Sequence, residues 1–162
     1  TMTPPVPNTT ALTLAGIRAA AAAEPTKTPD FSPAVRAGSL VFTSGQLPLS
    51  DGELVATGLL GRDVTVAEGA RLARICTANA FAALSELVDL ADIERVVKLN
   101  GFVASAPGFH DQAAVMNGAS SLLNELFAGA RPHARAAIGV AALPRNAPVE
   151  VELVVRLGGA SA

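Results

Sequence analysis

The chain of 162 residues has no tryptophan, no tyrosine, two histidines and a single cysteine. One cysteine, Cys76, excludes an internal disulfide and any cysteine-rich metal site. Its neighbours follow a helical apolar pattern, in which a free thiol is usually a small core residue. His110 and His133 do not have the spacing to each other or to cysteines that transition-metal centres use. We therefore expect no metal ion.

Motifs for phosphate binding and nucleophilic serine chemistry are also lacking. Gly58-Leu59-Leu60-Gly61 is not followed by Lys-Ser/Thr and no strand precedes it, so it is not a phosphate loop. Ser44 lies in Thr-Ser-Gly-Gln without the strand-turn-helix context of a nucleophile elbow. We expect no cofactor of any kind.

Charge and hydropathy exclude two classes of partner. The formal net charge is −2 and the basic residues are scattered, so the positive patch of a nucleic-acid-binding protein is missing. No apolar run reaches the roughly 20 residues of a membrane-spanning helix. The run 11–23 resembles the core of an export signal, but no positive charge precedes it and Arg18 interrupts it. We expect a cytoplasmic protein that binds neither nucleic acid nor membrane.

The residues that are abundant predict one apolar domain that associates with itself. Half of the residues are hydrophobic, mainly Ala, Val and Leu, with six phenylalanines. So much apolar surface on a small protein indicates that part of it is buried between subunits, and we expect a homo-oligomer. Residues 1–30 are rich in Pro, Thr and Ala, which predicts a mobile arm with a short helix ending before Pro25. The domain itself is predicted to span residues 31–158.

Hydrophobic periodicity predicts an α+β fold in which two helices cover one face of a single mixed sheet. The first helix begins with a predicted capping box from Thr65 to Glu68, in which each side chain binds the other residue's backbone N–H. Gly38-Ser39 is predicted to bend the first strand region into a hairpin-like turn, and 47–62 to form a loop or short edge strands. The predicted strands are 35–42, 95–104, 135–142 and 149–157, and the predicted helices are 66–88 and 109–127.

The last two predicted strands carry the most informative charges. Arg135 heads an otherwise uncharged strand, and Glu150 and Glu152 lie in the next. A guanidinium keeps its proton, so if it is buried it needs an anion, from the protein or from a ligand carboxylate that it can grip through two hydrogen bonds. An arginine whose head reaches water or pairs with glutamate is the alternative. A buried glutamate can activate water, and N–H groups at Gly45 can receive negative charge.

From about Phe31 to Leu157 the chain resembles the RidA family, also called YjgF-like or L-PSP endoribonuclease-like, in its longer subgroup with an N-terminal extension. The Arg-to-Glu spacing and the Leu-Pro between them both match. The segments that carry the resemblance are Ala37–Pro48, Val97-Lys98, Phe102-Val103, Val115–Asn117, Ala134–Ile138, Leu143-Pro144 and Val149–Glu152.

The resemblance implies a chorismate-mutase-like fold and a homotrimer with sites in the clefts between subunits. It implies hydrolytic deamination of reactive 2-enamine and 2-imine acids, such as 2-aminoacrylate, to a 2-keto acid and ammonia. Arg135 would hold the substrate carboxylate and Glu150 would position the attacking water. The other residues expected to contact the ligand are Phe31, Ser44, Gly45, Asn117 and Ala137.

Strand geometry adds an independent constraint. If the last two strands formed a simple hairpin, Glu150 would pair near Ala141 and Arg135 would lie about 20 Å away at roughly 3.3 Å per residue. The two could then not share one small ligand. The family's arrangement, with another strand between them and a neighbouring subunit closing the cleft, removes the conflict.

Two other functions remain open. Where deaminases of the family commonly have a tyrosine, this chain has Phe31, which can line a pocket but cannot donate a proton. A non-catalytic trimer that binds small carboxylates or keto acids would fit that difference. An endoribonuclease is disfavoured by the negative net charge and by the lack of a histidine pair for acid-base cleavage.

Overall fold

The computed structural model describes residues 30–159. The chain divides into two units, Thr1–Phe31 and Ser32–Ala162, and every strand and helix described below belongs to the second. The predicted N-terminal arm, its short helix and the segment compared with an export signal lie outside the described residues. No helix within 30–159 combines the length and hydropathy needed to cross a membrane.

Seven strands and two helices make up the described chain. A 3₁₀ turn, Leu90–Asp92, precedes the longest strand, and another, Pro144–Asn146, precedes the last. In chain order the elements are β1 (Ala34–Ala37), β2 (Leu40–Thr43), β3 (Leu49–Ser50), β4 (Glu53–Leu54), α1 (Val66–Ser85), β5 (Ile93–Ala104), α2 (Gln112–Leu126), β6 (Ala134–Val140) and β7 (Val149–Leu157).

Five of the strands form one mixed sheet in the order β1-β2-β7-β5-β6, and β3 pairs with β4 in a separate ribbon. The pairing of β5 with β6 is parallel, and the other pairings in the sheet are antiparallel. The predicted α+β class and mixed sheet are confirmed. The last two strands do not form a hairpin, because β5 lies between them, as the family resemblance implied.

Both helices pack on the same face of the sheet. Alternate residues of β7 are buried on that face, namely Val149, Val151, Leu153 and Val155. Small residues bring the two helices close together: a Cβ on Gly118 of α2 would come within 2.6 Å of the carbonyl carbon of Ala70 in α1. The core is therefore a thin layer of Ala, Val and Leu between the sheet and two closely packed helices.

The helix boundaries correct several predictions. Thr65 caps α1 by accepting a hydrogen bond from the N–H of Glu68 at 3.2 Å, but the Glu68 carboxylate binds Arg71 rather than the cap. Only half of the predicted capping box therefore forms. The helix ends at Ser85, not at residue 88, because the next N–H groups bond three residues back and tighten the last turn.

The second helix is shorter than predicted at its start. It begins at Gln112 rather than residue 109, because Gly108 has a φ of +80° and Phe109 forms a turn with Ala106. The side chain of Gln112 then binds the Phe109 carbonyl at 2.9 Å. The ends of β5 and β6 differ from the predicted strands by one or two residues.

Candidate active site

Arg135 lies on β6 at the edge of the sheet and faces α2. It pairs with Leu99, whose side chain is fully buried on the helix-covered face, so its own side chain points the same way. The Nη1 group of Arg135 donates to Asn117 Oδ1 at 2.9 Å and to Ser120 Oγ at 3.1 Å. Ser120 Oγ lies 3.0 Å from His133 Nε2. We call these four residues the arginine half-site.

The guanidinium in this half-site is bound by neutral groups. Within residues 30–159 no carboxylate oxygen lies within 4.0 Å of Arg135. Nη1 has two hydrogens, and Asn117 and Ser120 accept both. Nε and Nη2 make no hydrogen bond within the described residues, and this pair of donors matches the two oxygens of a carboxylate. Of the predicted alternative, in which the head of Arg135 reaches water or pairs with glutamate, the pairing is not found with any glutamate that the structure describes.

His133 is neutral in this setting. Burial lowers the pKa of its imidazole, and the positive charge of Arg135 lowers that pKa further. An uncharged ring beside the guanidinium adds no second positive charge to the half-site. The arginine half-site therefore holds one cation among uncharged hydrogen-bonding groups.

Glu150 occupies the opposite face of the sheet. It pairs with Phe102 of β5, which alternates with residues that face the helices, and neither helix covers this open face. Burial raises the pKa of Glu150, and the negative charge of Glu152 raises that pKa further. Glu152 itself accepts a hydrogen bond from Asn100 Nδ2 at 2.8 Å. We call Gly45, Asn100, Glu150 and Glu152 the glutamate half-site.

Gly45 is in this half-site because Glu150 fills the place of a side chain. A Cβ at residue 45 would overlap the Glu150 carboxylate, whose Cδ lies 2.8 Å from that position. The segment is fixed beside β7 by two backbone hydrogen bonds between Gln46 and Val151, at 2.8 and 3.0 Å. Thr43 Oγ1 accepts from the N–H of Leu153 at 2.9 Å, in place of a regular strand contact.

The remaining predicted site residues occupy different positions. Ser44 is next to Gly45, but its hydroxyl donates to the carbonyl of Ser32 at 2.7 Å. Ala137 is half-buried on β6, two residues beyond Arg135 and on the same face. Phe31 ends the first unit of the chain with 72% of its surface exposed. The assignment of these three residues to a ligand pocket stays a prediction.

Within one chain the two half-sites are apart. Arg135 pairs with Leu99, and Leu99 pairs with Leu153 of β7. Glu150 precedes Leu153 by three residues in β7. Two strand spacings and three residues place the two Cα atoms about 14 Å apart. The two side chains also leave opposite faces of the sheet. One small ligand therefore cannot contact both side chains of the same chain.

Ser120, His133 and Asn100 are polar site neighbours that the sequence analysis did not assign. Ser120 could have been found, because it follows Asn117 by one helical turn and so shares its face. His133 and Asn100 gave no comparable signal, because their roles depend on which strands are neighbours. Within the described part of the chain, no group of three or more His, Cys, Asp or Glu side chains could hold a metal ion.

Comparison with known proteins agrees with this fold and places the chain in a family. Residues 21–157 match the family described as endoribonuclease L-PSP. Protein TCP17 of Trypanosoma cruzi is 43% identical over 144 residues, which cover 88% of this chain and 89% of that protein. The chain belongs to the L-PSP family, the YjgF-like family that its motifs resemble.

Two solved structures support the same conclusion. The Agrobacterium tumefaciens protein Atu1372, described as having unknown function, is 45% identical with a TM-score of 0.75, over 80% of this chain and 82% of its own. A Shewanella oneidensis MR-1 protein that carries an endoribonuclease designation is 32% identical with a TM-score of 0.76, over 87% of this chain and 96% of its own.

Proposed function

We propose that this protein is a cofactor-independent hydrolytic deaminase of reactive 2-enamine and 2-imine acids. The observation that carries the proposal is the pair of half-sites. Among residues 30–159, one is an arginine with two donor atoms unused and no carboxylate partner, and the other is a half-buried glutamate beside a glycine. The first matches a substrate carboxylate, and the second can hold a water molecule. The resemblance to RidA-like enzymes assigns the same two residues, Arg135 and Glu150, to these roles.

The proposal requires a second copy of the chain, because the half-sites of one chain cannot meet. The open face exposes apolar side chains, with Val35 56%, Phe42 42% and Ile138 46% exposed, and β6 is an edge strand. An uncovered apolar sheet face favours association with another subunit. We propose the homotrimer that the resemblance implies, with the arginine half-site of one subunit facing the glutamate half-site of the next.

The chemistry can be written for 2-aminoacrylate with these residues alone. Arg135 Nε and Nη2 bind the carboxylate. Protonated Glu150, favoured by its raised pKa, donates its proton to C3, which converts the enamine into an iminium ion. The resulting Glu150 carboxylate accepts a proton from the water that attacks C2. Collapse of the carbinolamine, with a proton transferred to its nitrogen, releases ammonia and leaves pyruvate, so one water is consumed.

Phe31 is compatible with this scheme because Glu150 serves first as acid and then as base. A tyrosine hydroxyl would offer a second proton donor, and a phenyl ring cannot. A carboxylate-binding trimer without turnover is the second candidate, and the absence of that hydroxyl is the observation that favours it. The reactive substrates arise where pyridoxal-phosphate-dependent dehydratases act, so we propose a cytoplasmic location.

The test is the release of keto acid from an imine that a dehydratase generates in the same reaction. Wild-type protein should accelerate the release above the spontaneous rate. Arg135→Lys should raise KM, because an ammonium group cannot bind a carboxylate through two fixed donors. Glu150→Gln should lower kcat, because an amide cannot exchange the proton.

Arg71→Lys is the matched control, since Arg71 is exposed and pairs with Glu68 on the surface of α1. An Arg135→Ala variant as active as the wild type would overturn the proposal. Thermal stabilisation by 2-oxobutanoate without any acceleration would leave the carboxylate-binding trimer as the function.

A further inference from the structure

We infer that Ser120 and His133 are positioning residues that hold the Arg135 guanidinium in the orientation needed to bind a substrate carboxylate. The inference rests on the proposed function and adds to it two residues that do not touch the substrate. It starts from a chain of side-chain hydrogen bonds that runs from His133 through Ser120 to Arg135.

The donors of this chain fix the direction of its first step, and the inference assigns the direction of the second. Arginine can only donate, so Ser120 Oγ accepts the hydrogen bond from Nη1. The serine hydroxyl has one proton of its own, and the inference directs it to His133 Nε2, which lies 3.0 Å from Oγ. For Nε2 to accept that proton, the ring must be neutral and must carry its hydrogen on Nδ1. The geometry thus assigns a tautomer to His133.

The charges around His133 favour the same neutral state. Arg135 lies two residues later, on β6, and Arg131 lies two residues earlier in the chain. From β5, Arg95 Nη2 lies 3.4 Å from the carbonyl of the adjacent Pro132. No carboxylate within residues 30–159 lies within 4.0 Å of the His133 ring. The positive charge of Arg135 opposes a further positive charge on the ring.

The helix makes the position rigid. Asn117 and Ser120 lie one turn apart on α2 and accept the two hydrogens of the same Nη1 group. Two acceptors on one rigid element restrict rotation of the guanidinium about Cδ–Nε and exchange of its two Nη groups about Nε–Cζ, so the Nε–Nη2 edge keeps one direction. With Ser120 removed, Asn117 alone would leave the guanidinium free to turn. Carboxylate binding would then be weaker although Arg135 itself is unchanged.

The first experiment is nitrogen-15 NMR of the full chain, which has only two histidines. We expect His133 to show the Nδ1–H tautomer at neutral pH, and exposed His110 to serve as the internal reference. In Ser120→Ala the His133 spectrum should move toward the Nε2–H tautomer that free imidazole prefers. The two Nη resonances of Arg135 should be resolved in the wild type and should merge in Ser120→Ala.

The second experiment separates binding from turnover. Ser120→Ala and His133→Phe should raise KM, and the Kd for 2-oxobutanoate, by about tenfold, which corresponds to one weakened hydrogen bond to a charged group. The change in kcat should be less than about twofold, because neither residue touches the reacting atoms. Ser120→Thr keeps the hydroxyl and His133→Gln keeps a neutral acceptor, so both should restore binding. Ser121→Ala, an exposed neighbour on the same helix, is the control.

The outcomes distinguish this inference from the proposed function. If the wild type binds and deaminates its substrate but Ser120→Ala and His133→Phe match it in KM, only the inference is overturned. An Nε2–H tautomer or a charged ring for His133 in the wild type also overturns it alone. If the wild type neither binds 2-oxobutanoate nor accelerates keto-acid release, the proposed function fails, and the positioning role fails with it.

Discussion

The two faces of the sheet bury the residues of the same strands to different extents. On the helix-covered face, Leu99 and Val151 are fully buried among other aliphatic side chains. On the open face, the alternate residues of the same strands are Asn100, Phe102 and Glu150, and all are only half-buried. The helix-covered face forms the apolar core, and the open face carries polar and apolar side chains next to each other. The open face therefore keeps exposed apolar side chains, which the proposed interface would bury.

Arg135 is the exception that connects the two faces. It points to the helix-covered side, but from the edge strand, where the helix layer ends and only α2 contacts it. In the proposed trimer, a residue at this edge would reach the open face of a neighbouring copy, although it cannot reach the open face of its own chain. Substitutions on the two faces test this difference.

Placing a charge on the open face should break assembly and activity together. Ile138→Glu would bury an unpaired carboxylate in the proposed interface, which costs several kcal/mol in order of magnitude. We expect a change from trimer to monomer mass in light scattering and loss of keto-acid release. Leu87→Glu is the matched control, because Leu87 is also 46% exposed and follows α1 rather than facing the open side. A trimeric, active Ile138→Glu protein would contradict the proposed interface.

Adding one methyl group to the glutamate half-site should reduce activity with little effect on folding. In Gly45→Ala the new Cβ would displace the Glu150 carboxylate. A displacement of about 1 Å is enough to lower kcat roughly a hundredfold. Gly159→Ala is the control, since no atom lies within 4 Å of a Cβ there. Unchanged kcat in Gly45→Ala would separate Glu150 from the chemistry.

A methyl group added in the helix layer should instead reduce the stability of the fold. In Gly118→Ala the new Cβ would collide with the backbone of Ala70, and backbone atoms cannot move aside as a side chain can. Overpacking of this kind lowers the free energy of unfolding by about 1–3 kcal/mol. Urea denaturation at fixed protein concentration measures it, again with Gly159→Ala as control. Stability equal to the wild type would show that α1 and α2 can separate without cost.

The pH dependence of stability should show that the pKa of Glu150 is raised in the folded state. Because its pKa is raised in the folded state, folding favours the protonated form. That contribution is fully present below the unfolded-state pKa of about 4.3 and is lost as pH rises through the folded-state pKa. Glu150→Gln should therefore gain stability relative to the wild type between pH 4 and pH 7.

The urea midpoints of the wild type and Glu150→Gln at pH 4 and pH 7 measure this small difference in stability. Glu86→Gln makes the same atom replacement at an exposed carboxylate and is the control. A Glu150→Gln protein with the same pH profile as the wild type would contradict the raised pKa.

Periodicity predicted most of the fold, because each buried stripe reflects local geometry. The stripe that includes Cys76, Ala80 and Leu84 predicted α1, and all three are fully buried. The helix ends were less predictable, since Ser85 and Gln112 are set by individual hydrogen bonds and by the backbone angle of Gly108. The half-site partners Ser120 and His133 were missed, because their contact joins a helix to the residue that precedes β6, 13 positions away.

Local sequence patterns predict the α+β class and the buried stripes, and they place Arg135 and Glu150 in a familiar pattern. Only the tertiary structure decided that β5 lies between the last two strands and that these two residues leave opposite faces. The physical reason is that side-chain direction alternates along a strand, so facing depends on the pairing register between distant segments. Local patterns do not encode that register, although it determines which groups can meet.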